Sequence, residues 1–211
     1  MSTRLRLSLL PLAFVLASCS SLLNVQRTPF TTYSPRYLAA AATQGGPRVD
    51  WQLVVDTPSS SGMLDSVRML ASPVAGELEV FPKARWRDPA PTLLRSLIIE
   101  GFESSGRIVG VGSATSGLGA DYALAIELRD FQLEIRDGAP RAAVRFQARL
   151  FDYVSNRVVA TQAFAQETPA AGSDAASAFA AFESGLNAVI PQLVDWTLRE
   201  GGAARAKTAG K

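Results

Sequence analysis

Cys19 is the residue whose surroundings prescribe a covalent reaction. It is the only cysteine in the sequence, and Leu16, Ala17 and Ser18 stand directly before it. That is a lipobox arrangement: small residues fit a signal peptidase, and the sulfur takes up a diacylglyceryl group as its thiolate before the chain is cut. Ahead of it come Arg4 and Arg6 and an apolar run over residues 7–17, the layout of a secretory signal segment. The run is far shorter than the roughly 20 residues a membrane-crossing helix needs, and no later stretch supplies one. The expectation is a lipid anchor at Cys19 on a periplasmic protein, with residues 1–18 removed. Several acyl chains on one cysteine hold a protein to a bilayer far better than one. Aspartate after the cysteine would retain the protein at the inner membrane; Ser20 stands there instead and favours the outer membrane. With no second cysteine the oxidising compartment offers no disulfide, so the fold must rest on its core.

Little else in the chain is suited to chemistry. There is no histidine, which removes the usual zinc and copper ligand sets and the serine–histidine and cysteine–histidine nucleophile pairs. A glycosidase needs only two carboxylates across a cleft, but no acid stands out for it. Asp152 and Asp195 read as a turn former and an exposed helix position. The glycines of 110–119 fail the phosphate-binding patterns, since Thr115 stands where the dinucleotide fingerprint needs a small residue and Leu118 where a P-loop needs lysine. They read as a flexible loop between strands. The chain is therefore expected to be non-enzymatic, with no cofactor and no metal.

Charge narrows the partners. The formal net charge is +2; loss of residues 1–18 takes away Arg4 and Arg6 and leaves 19 basic against 19 acidic residues. A nucleic-acid partner calls for a basic footprint, so none is expected.

The elements behind these residues follow from periodicity. Residues 19–47 contain no acid and are rich in small and polar types; they read as a flexible tether, whose Arg27 and Arg36 are free to lie near headgroups. A domain over 48–199 then opens with a half-buried strand carrying Trp51, Leu53 and Val55. Two shorter strands are expected over 66–72 and 77–81. Asp88 is expected to cap a helix with Pro89 at its first position; Leu93, Leu94, Leu97, Ile98 and Phe102 form its apolar stripe, and Gly106 ends it. Tyr122, Leu124, Ile126 and Leu128 alternate on even numbers, while Phe131, Leu133 and Ile135 alternate on odd ones, which requires a β-bulge near Arg129 and Asp130. Asp137 and Gly138 turn the chain into a strand of Val144, Phe146, Ala148 and Leu150 with Arg145, Gln147 and Arg149 facing water. Ser155 and Asn156 turn it again into a strand over 158–166. A last helix starts with Ser173 as its cap and should kink at Pro191, and residues 200–211 read as a disordered tail. The fold class is α+β, a mainly antiparallel or mixed sheet with two principal helices packed on it, in a single domain.

The lipobox, Trp86, the Pro91–Leu94 helix start leading to Ser105 and Gly106, the 120–126 strand, the Leu150–Asp152 stretch and a closing helix through Leu193–Trp196 form an ordered series. In that series the chain resembles the ABC-type transport auxiliary lipoprotein family, the PqiC-like proteins, over roughly 50–198. It departs from the family where an aromatic-rich stretch precedes the tryptophan and this chain has residues 79–86. The resemblance implies an accessory role beside an ABC transporter, with a periplasmic MCE-domain protein as partner in lipid transport between membranes, and it leaves assembly as a homo-oligomer open. Two other readings stand beside it: an outer-membrane lipoprotein that activates a peptidoglycan synthase, which a long tether would favour, and a carboxylate-dependent glycan hydrolase.

Overall fold

The chain builds its sheet around two long neighbouring strands. In chain order the elements are β1 (Thr31–Tyr33), β2 (Gln52–Val55), β3 (Ser59–Ser60), β4 (Arg68–Ser72), β5 (Glu79–Trp86), α1 (Ala90–Ser105), β6 (Gly110–Ser113), β7 (Tyr122–Arg136), β8 (Ala139–Asp152), β9 (Arg157–Pro169) and α2 (Ala175–Ala209). They come from a computed structural model that describes residues 29–38 and 45–210. Leu16, Ala17, Ser18 and Cys19 lie outside those residues, as does the rest of the 1–18 segment. Residues 31–211 form one compact unit.

β7, β8 and β9 make the expected antiparallel meander. Along its other side β7 pairs in parallel with β2, β3 and β4 in succession. β6 extends the sheet beyond β2, β5 runs antiparallel to β4, and β1 lies parallel to β5. The result is the mixed α+β architecture that the hydrophobic periods imply. Asp137 and Gly138 both take positive φ, 51° and 75°, as a two-residue hairpin turn requires. The parity switch in β7 is a bulge: register shifts between Leu128 and Asp130, and Arg129 is left unopposed and exposed. Because the switch restores alternation, Ile126, Leu128, Phe131 and Leu133 all stay buried under the helices.

The helices start and stop for reasons only partly readable in sequence. At α1, Pro89 is the N-cap and no side chain caps the helix; Asp88, expected to do so, pairs with Arg87 Nε at 2.8 Å. The Ser66 carbonyl accepts from the Ala90 amide, so an orphan donor that calls for a cap is satisfied by the neighbouring loop. Gly106 ends the helix in the left-handed region at φ 63°, as expected. At α2 the cap is Asp174 and not Ser173, its carboxylate accepting from the Ala176 and Ser177 amides at 3.0 Å each. Asp174 wins because a carboxylate reaches two amides at once.

Three further expectations are corrected. Residues 29–38 are not tether throughout: β1 pairs with β5, Tyr33 packs on Phe179 with ring centroids 5.0 Å apart, and Tyr37 is buried. The reason is that Tyr33 and Tyr37 give this polar stretch enough apolar surface to bury. Nor is 200–211 a disordered tail through its described part, because α2 continues to Ala209. Gly201 presses against Trp51, where a Cβ would meet Cζ2 at 2.6 Å; the Tyr122 hydroxyl donates to its carbonyl, and Arg205 pairs with Asp50 and Asp121 at 3.2 and 2.9 Å. Third, part of the glycine loop is strand β6. Gly110 and Gly112 lie where a Cβ would crowd Gln52 and Ser116, so these glycines serve close packing.

Candidate functional site

The two faces of the sheet differ in chemistry. The inner face is closed by α1 and α2 over an aromatic cluster in which Phe131 stacks on Phe182 with centroids 4.8 Å apart and Trp86 meets Phe182 at 5.3 Å and 87°. The outer face of the meander carries charge instead. The register set by the two-residue turn places Asp130 opposite Arg145 and Glu134 opposite Arg141, and the next strand brings Glu167 beside Ala143.

Arg145 is the centre of this face. Its guanidinium donates to both oxygens of Glu134, at 2.7 and 3.0 Å, donates also to Glu167, and lies 3.3 Å from Asp130. Arg136 bridges Glu134 and Glu167 at 2.7 and 3.0 Å, and Arg141 reaches Glu167 at 3.1 Å. The Gln132 amide donates to Asp130 and Glu134. Three carboxylates thus meet three guanidiniums, and the bidentate Arg145–Glu134 pair is the strongest kind of charge-assisted contact. Hydrogen bonds from Arg145 hold the Glu134 carboxyl below its usual range although burial opposes this. Arg145 first and Arg141 second do the same for Glu167, and Glu134 raises the pKa of Arg145. Arg145 and Arg149 were expected to face water. Arg149 does, beside Glu127 at 3.4 Å, whereas Arg145 is largely covered.

Beside this network the loops around 61–64 and 75–78 wall a cavity of about 390 Å³ whose floor includes Ser72, Gln132 and Glu134 and whose rim carries Arg129 and Arg136. The bulge places Arg129 at that rim. Leu78 and Val80 remain 44% and 43% exposed near the same hairpin, so an apolar lip adjoins a neutralised charge cluster. The arrangement suits contact with another molecule more than bond-making, since each carboxylate is already occupied by a guanidinium.

The acids named from sequence are engaged elsewhere and are not brought together with this face. Asp152 accepts from the amide and hydroxyl of Ser155 at 2.8 and 2.7 Å, which lowers its pKa and makes it the turn former it was read as. Asp195, on α2, pairs with Arg107 just beyond the end of α1. Trp86 and Trp196 are core residues, 1% and 4% exposed. Asp56, unremarked in the sequence, has its carboxyl pushed up by burial. Among the described residues no group of three or more acids or other ligand types is placed to hold a metal, and no helix is long and apolar enough to cross a membrane.

A family model for the ABC-type transport auxiliary lipoprotein component matches residues 35–194, which takes in α1, every strand from β2 onward and α2 as far as Val194. The chain belongs to this family. The auxiliary lipoprotein match begins at residue 35, well before the sequence-based boundary at 48, as the packing of Tyr37 requires. A crystal structure of a Xanthomonas campestris protein of the DUF330 family is 35% identical, with 83% of this chain and 99% of that one covered and a TM-score of 0.76. A second crystal structure, of an uncharacterised protein, is 15% identical over 82% of this chain and 99% of that one with a TM-score of 0.61, and shares the fold. No curated protein matches the auxiliary lipoprotein.

Proposed function

We propose that this auxiliary lipoprotein docks the MCE-domain protein of an ABC-type lipid transport system to the outer membrane, anchored through acylated Cys19 and performing no chemistry of its own. The observation that supports it most directly is where the domain begins. β1 starts at Thr31, so the leash from Cys19 has a contour length of only about 40 Å even if fully extended, at roughly 3.3–3.6 Å per residue. Such an anchor keeps the domain close to its membrane, as a docking platform needs. It also counts against the peptidoglycan-synthase reading, which gains from a long reach. The hydrolase reading finds no support in Asp152 or Asp195, which serve a turn and an ion pair.

The test is solubilisation of native membranes in mild detergent, capture of the acylated protein, and identification of what accompanies it, with a Cys19→Ala chain as the unanchored control. Recovery of an MCE-domain protein from outer-membrane fractions supports the proposal. Recovery of a peptidoglycan synthase without any MCE protein, or of the protein in inner-membrane fractions alone, overturns it.

A further inference from the structure

β9 closes one side of the sheet. It pairs with β8 and with no other strand among the described residues, so alternate backbone amides and carbonyls along it point outward without a sheet partner. Edges of this length are normally guarded by charged side chains, a mid-strand proline or a covering element, because an open edge is a template for another strand. Here the residues 158–166 carry no charge and no proline; Pro169 stands only at the end. Thr161, Gln162, Ala163 and Ala165 are exposed. The contrast with the neighbouring strands is sharp, since the outer rows of β7 and β8 are laced with paired arginines and acids.

We propose that the β9 edge over 160–166 accepts an extended segment of a partner polypeptide as an added strand. Backbone hydrogen bonding supplies the affinity in such pairing, and alternate side chains supply the specificity. Thr161, Ala163 and Ala165 share the outward row, and their short side chains leave room for bulky ones opposite. The matching segment is therefore uncharged and alternates β-branched or aromatic residues. Arg157, at the start of β9, is exposed and forms no ion pair among the described residues, so the segment carries an acid at that end. A second copy fits less well: two such edges would set alanine rows together, and cross-strand pairs gain stability from large side chains. The inference holds whichever protein supplies the segment and does not depend on the lipid-transport reading.

The probe is a synthetic eight-residue peptide of alternating threonine and valine closed by aspartate, N-methylated at alternate amides so that one edge stays free and self-association is blocked. Amide hydrogen exchange of the full acylated protein in detergent is followed by mass spectrometry with and without it. The expected result is slowed exchange confined to 158–168, lost with a peptide methylated at every amide and weakened at least tenfold by Ala163→Lys but not by Ala163→Ser. Unchanged exchange in β9 at millimolar peptide overturns the proposal, as does protection elsewhere only. Protection of β9 without peptide that rises with protein concentration overturns it in favour of self-pairing.

Discussion

The guanidinium of Arg145 forks onto the carboxylate of Glu134, one nitrogen to each oxygen at 2.7 and 3.0 Å. The pair is set into the outer face of the sheet with side-chain exposures of 21% and 11%. Replacing Arg145 by methionine keeps an unbranched apolar stem but leaves Glu134 with only Arg136 and the Gln132 amide as partners. Breaking a fully buried pair costs about 3–5 kcal/mol and an exposed one at most about 1 kcal/mol. For this intermediate site the expected loss is about 2–3 kcal/mol in urea unfolding, and a loss below 0.5 kcal/mol would show that the network is ornamental.

The same network gives the protein an acid limit. Glu134 and Glu167 both hold their protons less readily when folded than at the ordinary value of 4.5. The stability they add is complete above 4.5, where both states are ionised, and drains away as pH falls through their lower folded values. Unfolding free energy measured between pH 6 and pH 3 should therefore decline steeply below 4.5. In a Glu134→Gln, Glu167→Gln chain that decline should be shallower.

The two helices meet at a residue without a side chain. A Cβ on Gly101 would stand 2.5 Å from Cγ2 of Ile190 and 3.7 Å from Cζ of Tyr37. Alanine in a helix is ordinarily worth about 1 kcal/mol over glycine, yet overpacking costs about 1–3 kcal/mol. Gly101→Ala is expected to destabilise on balance, and in an Ile190→Ala background the same change should become neutral or favourable. A double-mutant cycle by thermal unfolding measures the coupling.

Asn187 clips the N-terminal segment to α2. Its carbonyl accepts from the Leu38 amide at 2.6 Å, and its amide donates to the Arg36 carbonyl at 2.9 Å. Asn187→Ala removes both contacts and should cost about 1–2 kcal/mol, taking roughly 1 kcal/mol per bond. Amide exchange at Leu38 should accelerate while that of Leu124 in the sheet centre stays slow. Equal acceleration at both would mean global loss of stability and not local release.

How far each element was legible in sequence follows from the range of the interaction that makes it. The bulge at Arg129 and the turn at Asp137 and Gly138 are local, and parity and turn chemistry disclosed both. The charge network was one step further: counting back from the two-residue turn sets Asp130 against Arg145, a signal present in the sequence but lost once Arg145 was treated only as facing water. The strand at 31–33 and the last turns of α2 were hidden, since their stability comes from Phe179 and Trp51, distant in sequence. The cap at Asp88 failed for a related reason, because the carbonyl of Ser66 already meets the orphan amide. Cys19 is read from the sequence alone, and the β9 edge was legible there only as a strand; that no described strand lies beyond it is a property of topology.

The pairing of β1 with β5 has a mechanical consequence. The strand order of the domain starts at Thr31, and β1 runs parallel to β5 from there, with Thr31, Thr32 and Tyr33 registered on Ala84, Arg85 and Trp86. A pull applied at Thr31 along the strand axis loads the inter-strand bonds together in shear instead of opening them one at a time. The load passes into Trp86, which packs against both Phe131 and Phe182, and from there into the centre of the sheet and α2. Under the docking proposal, strain between membrane and partner would fall on the aromatic core and not on a frayed end.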